Sequence, residues 1–570
     1  MASPKKKPSN IIYGLEEAPP PLVTLLNGVQ QVGLIAINLV YPLLIFRTAG
    51  APVDLIGNML AICMLVLGIG TILQSKPIGP VGTGYMCPAT FTATYLAPSL
   101  LAARAGALPL VFGMTVYAGL LESAIAPLLN RLRAIFPPEI SGLVILMIGL
   151  SAGIAGLRSV LSATATPVMP EEWWVGAATL AAMVSLNVWG AGILRMLCTL
   201  IGLAIGYVAA IYSGVIDASA LSAVHEAAWI GIPSFNHLSW SFDVTLVLPF
   251  AIASVAAAMK AAGTIAVCQR MNDADWVRPD MESTRRGVLA DGISTVVAGL
   301  AGAVGTNTST PAVGLAAATG VASRVVAFAV AAIFVVLTFL PKLTVLLAVM
   351  PRAVVVSALL FTVTFIIING IQVINSRLLD ARRTLVLGLS IVAGLSVEVF
   401  PSIAASAPRP LAPLIGSSLV FSTIIALILN LLFRLGVKKT ARLTLEGPPV
   451  DVQKIDDFFQ VNCATWGARP DVAKRATFGA IQLVEAVAEN CWRRGPLAVE
   501  ASFDEFNLDV RVAYEGPALD FPDRRPSIEQ IRNSDDAARL LAGFMLRRNA
   551  DRIRVDSKDG RATVLFHFDH

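Results

Sequence analysis

Long apolar runs dominate this chain and leave few choices of fold. A helix rises about 1.5 Å per residue and the hydrocarbon layer is roughly 30 Å thick, so about 20 consecutive apolar residues predict a membrane span. Such runs fall at 22–47, 52–75, 107–130, 138–158, 173–191, 194–213, 243–268, 286–304, 322–340, 351–373, 381–400 and 409–435. Two shorter segments, 86–103 and 306–319, are interrupted by Pro, Gly and Thr and read as half-spans, which gives fourteen segments. With 55% hydrophobic and 14% charged residues, the 570-residue chain is not an ordinary soluble domain. The net charge of +5 is spread over short loops without interleaved aromatics, so no nucleic-acid partner is expected. The six cysteines show neither metal-ligand nor redox spacing, and no cofactor is expected.

Charge gives the direction of the spans, because short cytoplasmic loops are enriched in Lys and Arg. Residues 1–21 carry Lys5, Lys6 and Lys7 without a cleavable signal pattern and read as a cytoplasmic tail. With that tail inside, Lys76, Arg131, Arg133, Arg195, Arg270, Arg278, Arg285, Arg286, Arg324, Arg377, Arg382 and Arg383 all fall in inner loops. The stretch 196–259 has no Lys or Arg and holds a long outer loop with Asp217, Glu226, Trp229 and Trp240. Both termini are therefore expected on the cytoplasmic side of the inner membrane.

The two short segments are both third in their half: GYMCPATFTATYLAP at 84–98 and GTNTSTPAVGLAAATG at 305–320. Matched positions predict a 7+7 inverted repeat with broken helices near mid-membrane. Non-helical backbone at that depth must be buried in protein or line a polar cavity. Threonines at 90, 92 and 94, and the run Thr306, Asn307, Thr308, Ser309, Thr310, are placed to satisfy it. Free N–H groups at two half-helix starts would carry partial positive charge and suit an anionic or acceptor-rich substrate. An ordinary Pro/Gly-kinked helix is the alternative for either segment alone.

Four pieces carry a family resemblance: LLNGVQQVGLIAINLVYPLLI at 25–45, GPVGTGYMCPATF at 79–91, RRGVLADGIST at 285–295 and TGVASR at 319–324. Over residues 20–435 the chain resembles the nucleobase-ascorbate transporter family of xanthine and uracil permeases. The resemblance implies an all-α membrane protein with a UraA-like fold, in which a core domain (segments 1–4 and 8–11) moves past a gate domain (segments 5–7 and 12–14). It also implies a homodimer working by an elevator-like mechanism, with H+ or Na+ as the coupling ion. The same resemblance places the substrate among Gln31, Thr92, Ala93, Thr94, Tyr95, Lys260, Gly263, Thr264, Ser309, Thr310 and Pro311.

Several of these positions depart from the family pattern. Gln30-Gln31 stands for a Gln-His pair, Lys260-Ala261-Ala262-Gly263-Thr264 for a run like E-S-I-G-D, and Pro311-Ala312 for a Gln-Asn or Glu-Asn pair. Asp291 keeps its carboxylate. Lys260 lies ten residues before Arg270, about 15 Å from the inner boundary. A lysine at that depth costs several kcal/mol unless it is paired or lines water, which makes it a candidate for function. Lys260 with the two half-helix ends predicts an electropositive pocket for a small anionic substrate such as urate or a xanthine anion. A snorkelling lysine, or one locked to Glu122 or Asp291, is the structural alternative. Asp291, Glu122 and Lys260 are the coupling candidates, and an interfacial salt bridge from Asp291 to Arg285 or Arg286 is the plainer role.

After residue 435 the composition turns polar. Residues 436–450, with Lys438, Lys439, Arg442 and a Gly-Pro-Pro turn at 447–449, read as a linker to a cytoplasmic α+β domain at 451–570. Helical periodicity covers 477–493, and strands are expected at 508–516, 551–557 and 561–569. The order resembles the histidine-kinase-like ATPase fold of anti-sigma-factor kinases. Its N-box looks like Glu485-Ala-Val-Ala-Glu489 with Asn490 displaced by one, its adenine motif like Tyr514-Glu515-Gly516-Pro517-Ala518, and its lid is reduced to Gly543. Loss of both the Mg-binding amide register and the adenine carboxylate implies a pseudo-ATPase with a regulatory or dimerising role and a regulatory protein partner, rather than an enzyme. A generic α+β interaction domain, and a membrane sensor that signals through this tail, are the competing readings.

Overall fold

A computed structural model describes residues 7–129, 137–161, 170–216, 218–274, 276, 279–375, 379, 381–400, 402–406, 415–433, 439–446, 451–468, 470–490, 494–504, 507–522, 537–558 and 560–569. The expectations for Lys5, Lys6, Arg131, Arg133, Asp217, Arg278, Arg377, Lys438, residues 447–449, Cys491 and the side chains of Glu489 and Asn490 lie outside the described residues. Two compact units are present, Met1–Asn430 and Leu431–His570.

The first unit is helical. Its main helices are α1 (Pro21–Ala36), α2 (Val40–Thr48), α3 (Val53–Ser75), α4 (Leu96–Ile125), α5 (Pro138–Leu161), α6 (Pro170–Trp189), α7 (Cys198–Tyr212), α8 (Val247–Met271) and α9 (Met281–Ala301). They are followed by α10 (Thr310–Thr319), α11 (Arg324–Thr338), α12 (Arg352–Ile374), α13 (Ala381–Val399) and α14 (Ser418–Phe433). Among the described residues, six helical stretches are long and apolar enough to cross a membrane, and the pair Arg324–Thr338 and Pro341–Ala348, bent by 82°, makes a seventh. Helix α4 is broken at Gly106 and at Ala107, whose φ of 54° lies in the left-handed region. The break separates the third and fourth apolar segments, near where the sequence divides them.

Both interrupted segments contain strands instead of the turns expected from their threonines. Strand β1 (Ala89–Phe91) pairs antiparallel with β2 (Thr306–Thr308), with Ala89 opposite Thr308, Thr90 opposite Asn307 and Phe91 opposite Thr306. All six residues are buried. Each strand is followed by a capped helical start: the Thr92 side chain accepts from Thr94 N–H, and that of Ser309 accepts from Ala312 N–H. Two stretches of unwound backbone thus supply each other's hydrogen bonds where water is excluded.

Helix packing falls into groups. Helix α4 packs on α8 and α9, α3 on α11, and α1 on α11; α5 packs on α12, and α6 on α7 and α12. Small residues allow the closest approaches, as is usual between spans. A Cβ on Gly119 would lie 2.7 Å from the Gly292 carbonyl oxygen, and one on Gly292 would lie 2.6 Å from Ser123 N.

The segment read as an N-terminal tail is docked. Ile11 is buried, Ile12 and Tyr13 N–H both donate to Gly320 O, and Ala322 N–H donates to Tyr13 O. TGVASR is the receiving turn: Gly320 ends α10 in the left-handed conformation, Ser323 caps α11, and Arg324 pairs with Glu16 at 2.5 Å.

In the second unit, strands β3 (Lys439–Leu445), β4 (Arg494–Phe503), β5 (Asn507–Glu515), β6 (Arg552–Lys558) and β7 (Arg561–Asp569) form one antiparallel sheet in the order β3-β4-β5-β7-β6. Helices α15 (Val452–Trp466), α16 (Pro470–Asn490) and α17 (Ala537–Asn549) accompany it, and Phe459, Leu483, Val510 and Phe566 belong to one buried core. The expected linker is corrected here, because 439–445 is an edge strand paired along its full length with β4.

Replacing Gly292 by Val forces a branched side chain against the α4 backbone. A loss of roughly 1–3 kcal/mol or more is predicted, read as a lower thermal unfolding midpoint of the detergent-solubilised protein; an unchanged midpoint refutes this close packing.

Candidate functional site

The β1–β2 pair brings residues from opposite ends of the first unit to one place. Helix α8 runs beside it, and Lys260, Gly263 and Thr264 share one face of that helix by their spacing of three and four. The Lys260 ammonium donates to Thr92 Oγ1 at 3.2 Å, and Thr92 Oγ1 lies 2.9 Å from Thr94 Oγ1. Thr264 Oγ1 is 2.7 Å from Thr310 Oγ1, which ties α8 to the start of α10. Gln31 is buried on α1 and donates through Nε2 to Ala312 O at 3.0 Å, while its Oε1 has no hydrogen-bond partner among the described residues. Ala93, Tyr95 and Ser309 are buried, Thr310 is half-buried, and Pro311 and Gly263 are exposed.

The expected half-helix ends offer little free N–H. Side-chain caps occupy Thr94 and Ala312, and Pro311 has no N–H. Positive charge at the site therefore rests mainly on Lys260. That lysine is half-buried and, among the described residues, makes no ion pair. Neither carboxylate locks it: Glu122 Oε2 accepts from the Tyr95 hydroxyl at 2.8 Å, and Asp291 Oδ2 accepts from Thr308 N–H at 3.3 Å. Both still act electrostatically on Lys260. Asp291 is only 2% exposed, and the arginines near it in sequence have other partners: Arg285 pairs with Glu282, and Arg286 donates to Gly79 O.

Beside this face there is room. A Cβ added at Gly263 or at Gly314 would meet no atom within 4 Å. An ammonium and several hydroxyls next to such space are favourable if it holds water or solute and unfavourable if it holds lipid.

One contributor escaped the sequence reading. Asn38, inside the apolar run IAINLVYP, donates to Thr90 Oγ1 at 2.7 Å; a lone amide in an apolar run is the signal that would have found it. Asn307, already expected from the polar run 306–310, donates to Ala257 O at 2.9 Å.

In the second unit, the positions resembling nucleotide motifs have structural partners. Gln482 donates to Glu485 at 3.0 Å, and buried Tyr514 donates through its hydroxyl to Pro517 O at 3.1 Å. Glu515 pairs with Arg561 at 3.1 Å, and a Cβ at Gly543 would lie 2.0 Å from Asp520 O.

A helical membrane unit with a polar, lysine-bearing site at a crossing of unwound segments is the build of a permease. Residues 23–403 match the model of the Permease family of xanthine and uracil permeases, and the chain belongs to that family. It is 28% identical over 443 residues to the xanthine permease XanP of Escherichia coli, covering 75% of this chain and 95% of that one. It is 27% identical over 414 residues to the uric acid permease PucJ of Bacillus subtilis, covering 70% and 89%. A putative purine permease of Clostridium perfringens is 26% identical over 435 residues, covering 74% and 92%. The first unit is thus a multi-pass membrane transporter.

Tyr95→Phe removes the one hydrogen bond that the Glu122 carboxyl makes among the described residues. The variant is predicted to lose about 1–3 kcal/mol, seen as a lower unfolding midpoint in detergent; a midpoint equal to that of the parent contradicts the assigned bond.

Proposed function

We propose that the protein is a secondary-active transporter of a purine-like or other small organic anion. The observation that carries this reading is Lys260: a half-buried ammonium beside open space, held by Thr92 and free of any ion pair among the described residues. Desolvating that charge without a counter-ion is unfavourable, and an anionic substrate supplies the counter-ion during each transport cycle. The ammonium and the hydroxyls of Thr92, Thr94, Thr264 and Thr310 present hydrogen-bond donors to such a solute. Relatives that carry xanthine or uric acid make an oxopurine anion the leading cargo.

The fourteen segments form two inverted repeats of seven in this reading, with the N-terminus and the second unit on the cytoplasmic side of the inner membrane. The packing of α1, α3, α4, α8, α9 and α11 among themselves, and of α5, α6, α7 and α12 among themselves, supports a core that carries the site past a gate. An elevator-like motion of that core, within a homodimer, completes the cycle. Glu122 and Asp291, two buried carboxyls within electrostatic reach of Lys260, are the groups assigned to H+ or Na+ coupling. The second unit is assigned a regulatory role without ATP turnover, since the positions resembling adenine and lid motifs serve its own packing.

Counterflow of labelled urate in proteoliposomes tests the assignment. Lys260→Ala is predicted to weaken apparent affinity about tenfold or more, the weight of a charge-assisted hydrogen bond, and Lys260→Glu to abolish urate uptake. If neither substitution changes affinity or substrate choice, Lys260 does not bind the cargo.

A further inference from the structure

A cavity of about 160 Å³ lies between α4 on one side and α5, α13 and the start of α14 on the other. Its walls are two helical stripes. Ala97, Leu100, Leu101 and Arg104 follow one another on α4 at intervals of three, one and three; Ser151, Ala155 and Arg158 follow on α5 at four and three. Such spacing puts each set on one helix face. Seven residues of helix, about 10 Å, separate Ala97 from Arg104. Ala97 sits two residues past Tyr95 and five past Thr92, the partner of Lys260, so the crevice starts near the candidate site and runs to the end of the bundle where both arginines lie.

Charge at that end is unevenly matched. Arg158 pairs with Glu398 at 3.0 Å and also donates to its backbone carbonyl, and Ser418 Oγ donates to the same carboxylate at 2.8 Å. Arg104 is exposed and, among the described residues, has no ion pair. Among the described residues the mouth therefore carries two guanidinium groups against one carboxylate, which stands in the last turn of α13 and accepts from Ser418 at the start of α14.

We propose that this crevice is the outward access path to the Lys260 site, and that Arg104 and Arg158 make its mouth an anion-collecting site. Glu398 is the resident anion there. An incoming organic anion meets Arg104 first and competes with Glu398 for Arg158 before it moves inward along the small residues Ala155, Ser151 and Ala97. Arg104 and Arg158 stand on helices assigned to core and gate respectively, so motion between those groups opens and closes the mouth. The inference shares the anionic cargo and the outward orientation of the proposed function, but its test needs no cargo, so either can fail alone.

The full-length protein is labelled in intact cells with two membrane-impermeant thiol reagents, anionic 2-sulfonatoethyl and cationic 2-trimethylammonioethyl methanethiosulfonate. The reporters are Ala97→Cys and Ala155→Cys, one on each wall and introduced one at a time, in a Cys491→Ser background; the other five native cysteines are all buried. Both reporters are expected to react from the outside, with the anionic reagent favoured over its intrinsic rate relative to the cationic one. Adding Arg104→Gln is expected to lower that preference about threefold, the scale of one unit charge acting over several ångströms in a partly aqueous crevice. Absence of outside labelling at either reporter, or a preference unchanged by Arg104→Gln, overturns the proposal.

Discussion

Backbone polar groups cannot be left bare inside a membrane, and the pairing of Ala89–Phe91 with Thr306–Thr308 is how this chain keeps two unwound segments there. The pairing joins residues more than 200 positions apart and fixes the starts of the helical segments that follow. Thr92 and Ser309, the capping residues, then stand close to α8, where Thr92 receives the Lys260 ammonium. Close approach of α4 and α9 through Gly119 and Gly292 sets the two helices bearing Glu122 and Asp291 against each other. The candidate site is a consequence of these constraints, since Gln31, Thr92–Tyr95, Lys260–Thr264 and Ser309–Pro311 come from four separate stretches of chain that the strand pair and its packing bring together.

Within that frame the chemistry turns on one charge. Capping and Pro311 take up much of what the helical starts would offer an anion, whereas Lys260 has no carboxylate partner among the described residues. A buried carboxyl such as Glu122, with one oxygen bonded to Tyr95 and the other without a partner among the described residues, is a different kind of group: its charge state decides how well the surroundings tolerate it. A site with one available cation and two buried carboxyls nearby has the parts for linking solute binding to ion movement.

Much of the fold was legible in the sequence because lipid thickness imposes it. The apolar runs at 52–75, 138–158 and 351–373 became helices with ends within a few residues of those expected. Strands β1 and β2 were not legible, since three residues are too few to show an alternating pattern and their partner lies in the other half of the chain. Lys260 stood out as a charge in an apolar run, and the structure gave it the hydroxyl partner that the run could not show. Gln31 was picked out by resemblance, but its bond to Ala312 O depends on packing between distant helices. Strands β5, β6 and β7 of the second unit show alternation in the sequence, whereas β3 reads as linker because its lysine, arginine and threonines look like a solvated connection. Those polar residues belong on an edge strand, where one side meets water.

The most direct check on the central claim is equilibrium binding of radiolabelled urate and uracil to the purified protein at neutral pH, where the first is an anion and the second is neutral. A site organised around an unpaired lysine predicts urate bound at least about tenfold more tightly, equivalent to one charge-assisted hydrogen bond. Equal or tighter binding of uracil would contradict the account.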